Sequence, residues 1–179
     1  MRNRTQVKAI KASVVLMFGA LTLLFVYMAN VAPFLRVLLF FLSSVFIMGI
    51  MLEQMYGSAF LAFGIVTFVG FILVPDKAGM LPYLLFFGHY GIFKYFADNN
   101  LHGGTKVALK LVYFNICAAA IYFFGGGFLL ALLPWELPVW LLIVLAEAIF
   151  LLYDWLFGKL TTGYFANMRP RLTGGSSYG

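Results

Sequence analysis

Charge is scarce in this chain. Asp, Glu, Lys and Arg make up 10% of 179 residues, against 64% hydrophobic residues and a mean hydropathy of +0.99. A water-soluble domain needs a hydrated, charged surface, so this balance excludes one and leaves an integral membrane protein. Cysteine occurs once, at Cys117, and histidine twice. One thiol cannot close an intramolecular disulfide, and one thiol with two imidazoles cannot complete a zinc or haem-pair site, so no cofactor or metal is expected. His-Glu-x-x-His, Gly-x-Ser-x-Gly, a Walker-type phosphate loop and the paired-aspartate signature of alcohol phosphatidyltransferases are all missing, which argues against an enzyme. No segment resembles an ion-selectivity filter. Basic residues outnumber acidic ones twelve to six. Their placement matches membrane topology, so nucleic acid is not an expected partner.

What is present is a series of apolar runs near 20 residues, each bounded by Pro, Gly or charge: 12–31, 35–53, 57–75, 80–97, 106–134 and 138–160. They predict an all-α integral membrane protein, a compact bundle of six transmembrane helices in one domain over 1–165, followed by a disordered cytoplasmic tail, 166–179. The fourth run is barely long enough to cross. The fifth is too long for one straight helix, and its glycines at 125–127 offer a bend or an early end. The basic head of the chain resembles that of a secretory signal, but the apolar stretch from Ala12 to Ala29 is too long for one and reads as a retained first helix.

Charge placement tests the count independently. With both termini cytoplasmic, the inner segments carry Arg2, Arg4, Lys8, Lys11, Lys94, Lys106, Lys110, Lys159, Arg169 and Arg171, and the outer segments only Arg36 and Lys77. A bias of that size follows the positive-inside rule for an even number of spans and places the protein in the cell membrane as a multi-pass chain within the lipid bilayer. In this reading Lys94 ends the fourth helix at the cytoplasmic face, and Asp76-Lys77 is an ordinary turn.

Each ionisable group at membrane depth costs about 2.5–3.5 kcal/mol on insertion scales and therefore calls for an account. Glu147, in "LLIVLAEAIFLLYDW", is the most deeply placed acid. It is read either as a ligand for a solute, ion or proton, or as a structural partner of His89 or of a tyrosine hydroxyl. His89 lies near the middle of the fourth run and can pair with Glu147 or be a satisfied helix-bundle histidine. Asn115 reads as an interhelical hydrogen-bonding residue, and Asp154 as an interfacial salt-bridge partner for Lys94 or Lys110. Small residues at Ala9, Ser13, Ser58 and Ala62 allow close helix approach, inside the fold or against another membrane subunit.

The basic N-terminus, six short spans in about 180 residues, small residues early in the first helix and a fourth segment opening "LPYLLFFG" resemble the S components of energy-coupling factor transporters. "GHYGIFKYF" and "KLVYFN" also look like stretches of uncharacterised six-helix membrane proteins of Gram-positive bacteria. The resemblance implies a membrane subunit that captures a vitamin-like small solute and docks on a transmembrane T component carrying ATPase subunits. Docking in that family uses an alanine-x-x-x-alanine face on the first helix; here Ala9 and Ser13 stand closest to it. Solutes there are held in the outer halves of the later helices, a region that falls around Asn30, Tyr83, His89, Trp135 and Glu147. The rival expectation is a non-catalytic scaffold or assembly subunit of a larger membrane complex.

Overall fold

The computed structural model describes residues 4–125 and 138–163. Among them the regular structure is helical: α1 (Arg4–Val31), α2 (Arg36–Leu52), α3 (Tyr56–Leu73), α4 (Gly88–Asn100), α5 (Gly103–Gly125) and α6 (Val139–Gly163). Five segments are long and apolar enough to cross a membrane: Lys11–Val31, Pro33–Leu52, Tyr56–Leu73, Gly103–Phe124 and Trp140–Gly163. Helices suit that solvent because every interior backbone group is bonded within its own segment. Trp135, the side chain of Ala9 and the tail 166–179 lie outside the described residues.

The helix ends follow from local chemistry. Pro33 forces Ala32 out of the helical region (φ −114°, ψ 83°) and ends α1. Pro75 does the same to Val74 (ψ 126°) after α3. The end of α2 has no proline. Instead Gln54 turns left-handed (φ 58°), and Gln54 N–H and Met55 N–H bond back to the carbonyls of Met51 and Ile50. This is the glycine-favouring Schellman geometry held by a residue with a Cβ, which costs about 1 kcal/mol.

The fourth apolar run is not a plain span. A 3₁₀ turn at Ala78–Met80 leads into a π-helical turn at Tyr83–Phe87, closed by Gly88 N–H on the Tyr83 carbonyl, and α4 follows without a break. The wide turn inserts an extra residue per revolution and so re-aims the side chains on either side of it, a feature frequent at functional sites.

The chain divides into two compact units, one up to Leu132 and one from Leu133. In the first, α2 packs on α1, α3 and α4; α1 also packs on α3, and α5 against the π turn and α4. Helix α2 meets α4 at Gly91, where a Cβ would stand 3.0 Å from the Ser44 carbonyl oxygen and 3.3 Å from the Met48 nitrogen. A side chain there would press on the α2 backbone, so glycine suits this close approach. A buried cluster of Val26, Ala29, Leu39, Phe40, Val66, Val74, Met80 and Tyr83 joins α1, α2, α3 and the start of the fourth run.

In the second unit α6 begins after Pro138, whose carbonyl accepts the Leu141 and Leu142 N–H groups. Phe150 and Phe157, seven residues apart, are buried. Glu147 and Asp154 share that helical register, three residues before each phenylalanine, and both are partly buried.

Candidate functional site

The first unit has two polar ends, separated by the 18 residues of α3, or about 27 Å of helix. At one end Asn30 closes α1. Its Nδ2 donates to the Val26 carbonyl at 2.9 Å and reaches the Met80 sulfur at 3.8 Å. Its Oδ1 is buried and accepts no hydrogen bond. Asn30 Oδ1 and Asp76 Oδ2 both overhang the α-carbon of Gly79: a Cβ there would lie 2.2 Å from the first and 2.9 Å from the second. The other Asp76 oxygen accepts the Ala78 N–H at 3.1 Å, fixing the turn.

One helical turn further in, Tyr83 is fully buried. Its ring packs between Phe40 and Phe63, with centroids 6.4 and 6.0 Å away, and its hydroxyl has no partner. Thr67, four residues beyond Phe63 on α3, likewise has a buried hydroxyl without a partner. Both basic side chains at this end are committed to helix carbonyls. Lys77 Nζ bonds the carbonyls of Phe71 and Val74, and Arg36 Nε donates to Ala29 at 3.1 Å. Each cation meets the negative end of a helix dipole.

Between the ends, just past the π turn, His89 Nδ1 shares a hydrogen bond with the Tyr113 hydroxyl of α5, and the imidazole also bonds the backbone at Leu84 and Leu85. Phe63 meets the imidazole edge-on at 5.6 Å, and Phe93 lies flat on Tyr113 at 3.8 Å, 8° from parallel. The arrangement locks the histidine to α5 through its neighbours.

The other end is built from lysines. Lys94, 3% exposed, lies 3.1 Å from Asp98 Oδ2, while Lys110 and Lys106 lie 2.6 and 3.3 Å from Asp98 Oδ1. One carboxylate thus ties the end of α4 to the start of α5. Burial pushes the Asp98 carboxyl up, but the hydrogen bond from Lys110 and the charges of Lys94 and Lys110 outweigh it and hold the group below its ordinary value. Nearby the hydroxyls of Tyr56 and Tyr95 pair at 3.0 Å.

Comparison with known families, curated proteins and solved structures finds no match. Any assignment therefore rests on the geometry. Of the residues singled out in the sequence, Asn30 and Tyr83 belong to one neighbourhood, linked through Met80. His89 is held by Tyr113 of α5, and Phe63 packs on both its ring and that of Tyr83. Glu147 lies on α6, in the second unit. Of the small residues, Ser13 is exposed, Ser58 half-buried and Ala62 buried. Asn115 Nδ2 donates to Leu111 of its own helix at 2.9 Å.

Sequence reasoning missed Asp76, Gly79, Thr67, Asp98 and Tyr113. For Asp98 a signal exists, since it follows Lys94 by four residues on one helix and faces a second i, i+4 pair, Lys106 and Lys110. For Asp76 and Gly79 the "VPDKAG" turn reads as any turn does. Only the fold reveals what overhangs the glycine.

Proposed function

We propose that this chain is a multi-pass cell-membrane subunit that captures a small solute at the Asn30 end of its first unit and relies on a separate ATP-driven module for uptake, as S components of energy-coupling factor transporters do. In this reading the Lys94 end faces the cytoplasm, following the positive-inside bias, and the Asn30 end faces outward. The expected T component and ATPase partners belong to the same proposal.

One observation carries the reading: the Tyr83 hydroxyl, fully buried among apolar groups without a partner. An unsatisfied buried hydroxyl costs about 1–3 kcal/mol. Keeping one at the same end of the unit as the orphaned Oδ1 of Asn30, to which it is linked through Met80, makes sense if something other than the protein completes both. Apolar walls with a few polar groups left open are how small-molecule sites are built.

The test is native mass spectrometry of the full chain released from detergent, which reads bound solutes and partner chains together. Wild type is expected to carry a small molecule, and Tyr83→Phe to hold it about tenfold more weakly through the lost hydrogen bond. A wild-type protein that carries no solute while retaining a partner chain would sink the capture reading in favour of the scaffold.

A further inference from the structure

The two oxygens over Gly79 define what kind of group the site takes. Each lies so close to the missing Cβ position that the two can be no further apart than the sum of those distances, 2.2 and 2.9 Å. Among the described residues no donor stands between them. Asn30 Oδ1 accepts no hydrogen bond, and the backbone bond that holds Asp76 uses its other oxygen.

The obvious relief would be to turn the Asn30 amide over, so that its nitrogen faces Asp76. That would bring Oδ1 to the place Nδ2 now holds, 2.9 Å from the Val26 carbonyl oxygen, pressing two acceptors together and losing a good hydrogen bond. The observed orientation is the one the helix enforces, and it leaves two acceptors side by side, one of them charged. Among the described residues, neither basic side chain at this end bonds these oxygens. Lys77 is spent on the carbonyls at the end of α3, and Arg36 Nε on Ala29 at the end of α1.

The turn grades from an exposed carboxylate to a buried glycine. Asp76 is exposed, Gly79 and Met80 are buried behind it, and the buried cluster containing Tyr83 continues inward.

Resting on the capture reading above, we propose that Asn30 Oδ1 and Asp76 Oδ2 are the head-group acceptors of the site, and that the solute is an organic cation, a protonated amine on an apolar body. An ammonium has three N–H donors and no acceptor, so it can bond both oxygens at once with charge assistance from Asp76. Gly79 is glycine because any side chain would occupy the space into which the two oxygens reach. An anionic solute is excluded at this point by the charge of Asp76.

The test uses the full chain in detergent, with binding followed by calorimetry at neutral pH. The probes are 2-phenylethylammonium chloride, its uncharged counterpart 2-phenylethanol, and sodium chloride. The ammonium is expected to bind at least about tenfold more tightly than the alcohol, the loss that follows from removing one charge-assisted hydrogen bond. Asp76→Asn keeps the oxygen that holds the turn and should erase that preference; Asn30→Ala should weaken ammonium binding by a similar factor. Gly79→Ala should abolish it, with a monodisperse elution profile showing that the variant folds.

Failure of the ammonium to bind wild type, or equal binding of the ammonium and the alcohol, overturns the proposal. So does a response to sodium alone that disappears in Asp76→Asn, which would make this an inorganic cation site. The two readings separate cleanly: if the alcohol binds as tightly as the ammonium and Tyr83→Phe weakens both, capture stands and the cation inference falls. If no probe binds and native mass spectrometry finds no solute, both fall.

Discussion

The two polar ends of the first unit solve the same problem in opposite ways. At the Lys94 end, two nearly buried ammonium groups and a third, more exposed one are drawn around one carboxylate, and two tyrosine hydroxyls find each other. At the Asn30 end, the cations are committed to helix carbonyls, and acceptors and hydroxyls are left over. Both ends must hold polar groups in an apolar environment, where an unpaired one is costly. The first end balances its charges internally, as a structural clamp does. The second leaves an amide oxygen and two hydroxyls without hydrogen bonds.

The largest effect should come from breaking the clamp. Asp98→Ala removes the shared counter-charge and leaves the Lys94 and Lys110 ammonium groups buried beside each other. Deleting one partner of a fully buried pair costs about 3–5 kcal/mol; with Asp98 itself about 30% exposed, a loss of about 2 kcal/mol is expected. Denaturant unfolding in detergent micelles would measure it. A loss no larger than that of Lys106→Ala, a more exposed member of the cluster, would show that the end is not a clamp.

A smaller and sharper contrast uses one substitution at two tyrosines. Tyr113→Phe removes the bond to His89 and should cost about 1 kcal/mol. Tyr83→Phe removes a hydroxyl that has no partner, so the solute-free protein should be unchanged or more stable by about 1 kcal/mol. Thermal unfolding of the two variants side by side checks the sign. Destabilisation of both by the same amount would mean that Tyr83 is satisfied within the protein, and the difference between the two regions would disappear.

How much of this could be read beforehand depends on which physical signal each feature uses. Hydropathy and proline placement are local, and they located the apolar runs: the breaks at Pro33 and Pro75 fall where pre-proline sterics require them. The end of α2 at Gln54 was legible only as a drop in hydropathy, because its left-handed turn uses a residue with no special sequence signal. The π turn at Tyr83–Phe87 was invisible, since its residues would serve equally well in an ordinary helix. Asn30 and Tyr83 were reached only as part of the region that the resemblance to S components implies, whereas Glu147 and His89 stood out because ionisable groups in apolar runs demand an explanation. Asp76 and Gly79 did not, because a turn of Pro, Asp, Lys and Gly is unremarkable until α1 places an amide oxygen over it. Pairing across helices is a property of rotation, and in a chain this apolar nearly every rotation buries hydrophobic surface equally well.

The smallest effect, and the most specific to the clamp, is its response to acid. The folded Asp98 carboxyl titrates below its ordinary value of about 3.9, because the Lys110 bond and the two ammonium charges outweigh its burial. A carboxyl whose folded value is depressed contributes stability above its unfolded value, and that contribution fades as pH falls through the folded one. Between neutrality and about pH 5 the clamp should therefore be insensitive to pH, and loosening should begin only below about pH 4. The change should be a fraction of the Asp98→Ala loss, since a protonated carboxyl still accepts a hydrogen bond from lysine and solvent screens the exposed part of the group. Unfolding midpoints of wild type and Asp98→Asn, followed from pH 7 to pH 3, should converge at the acid end. Curves that stay parallel throughout would mean that the lysines draw their balance from elsewhere and that Asp98 is not the group holding α4 to α5.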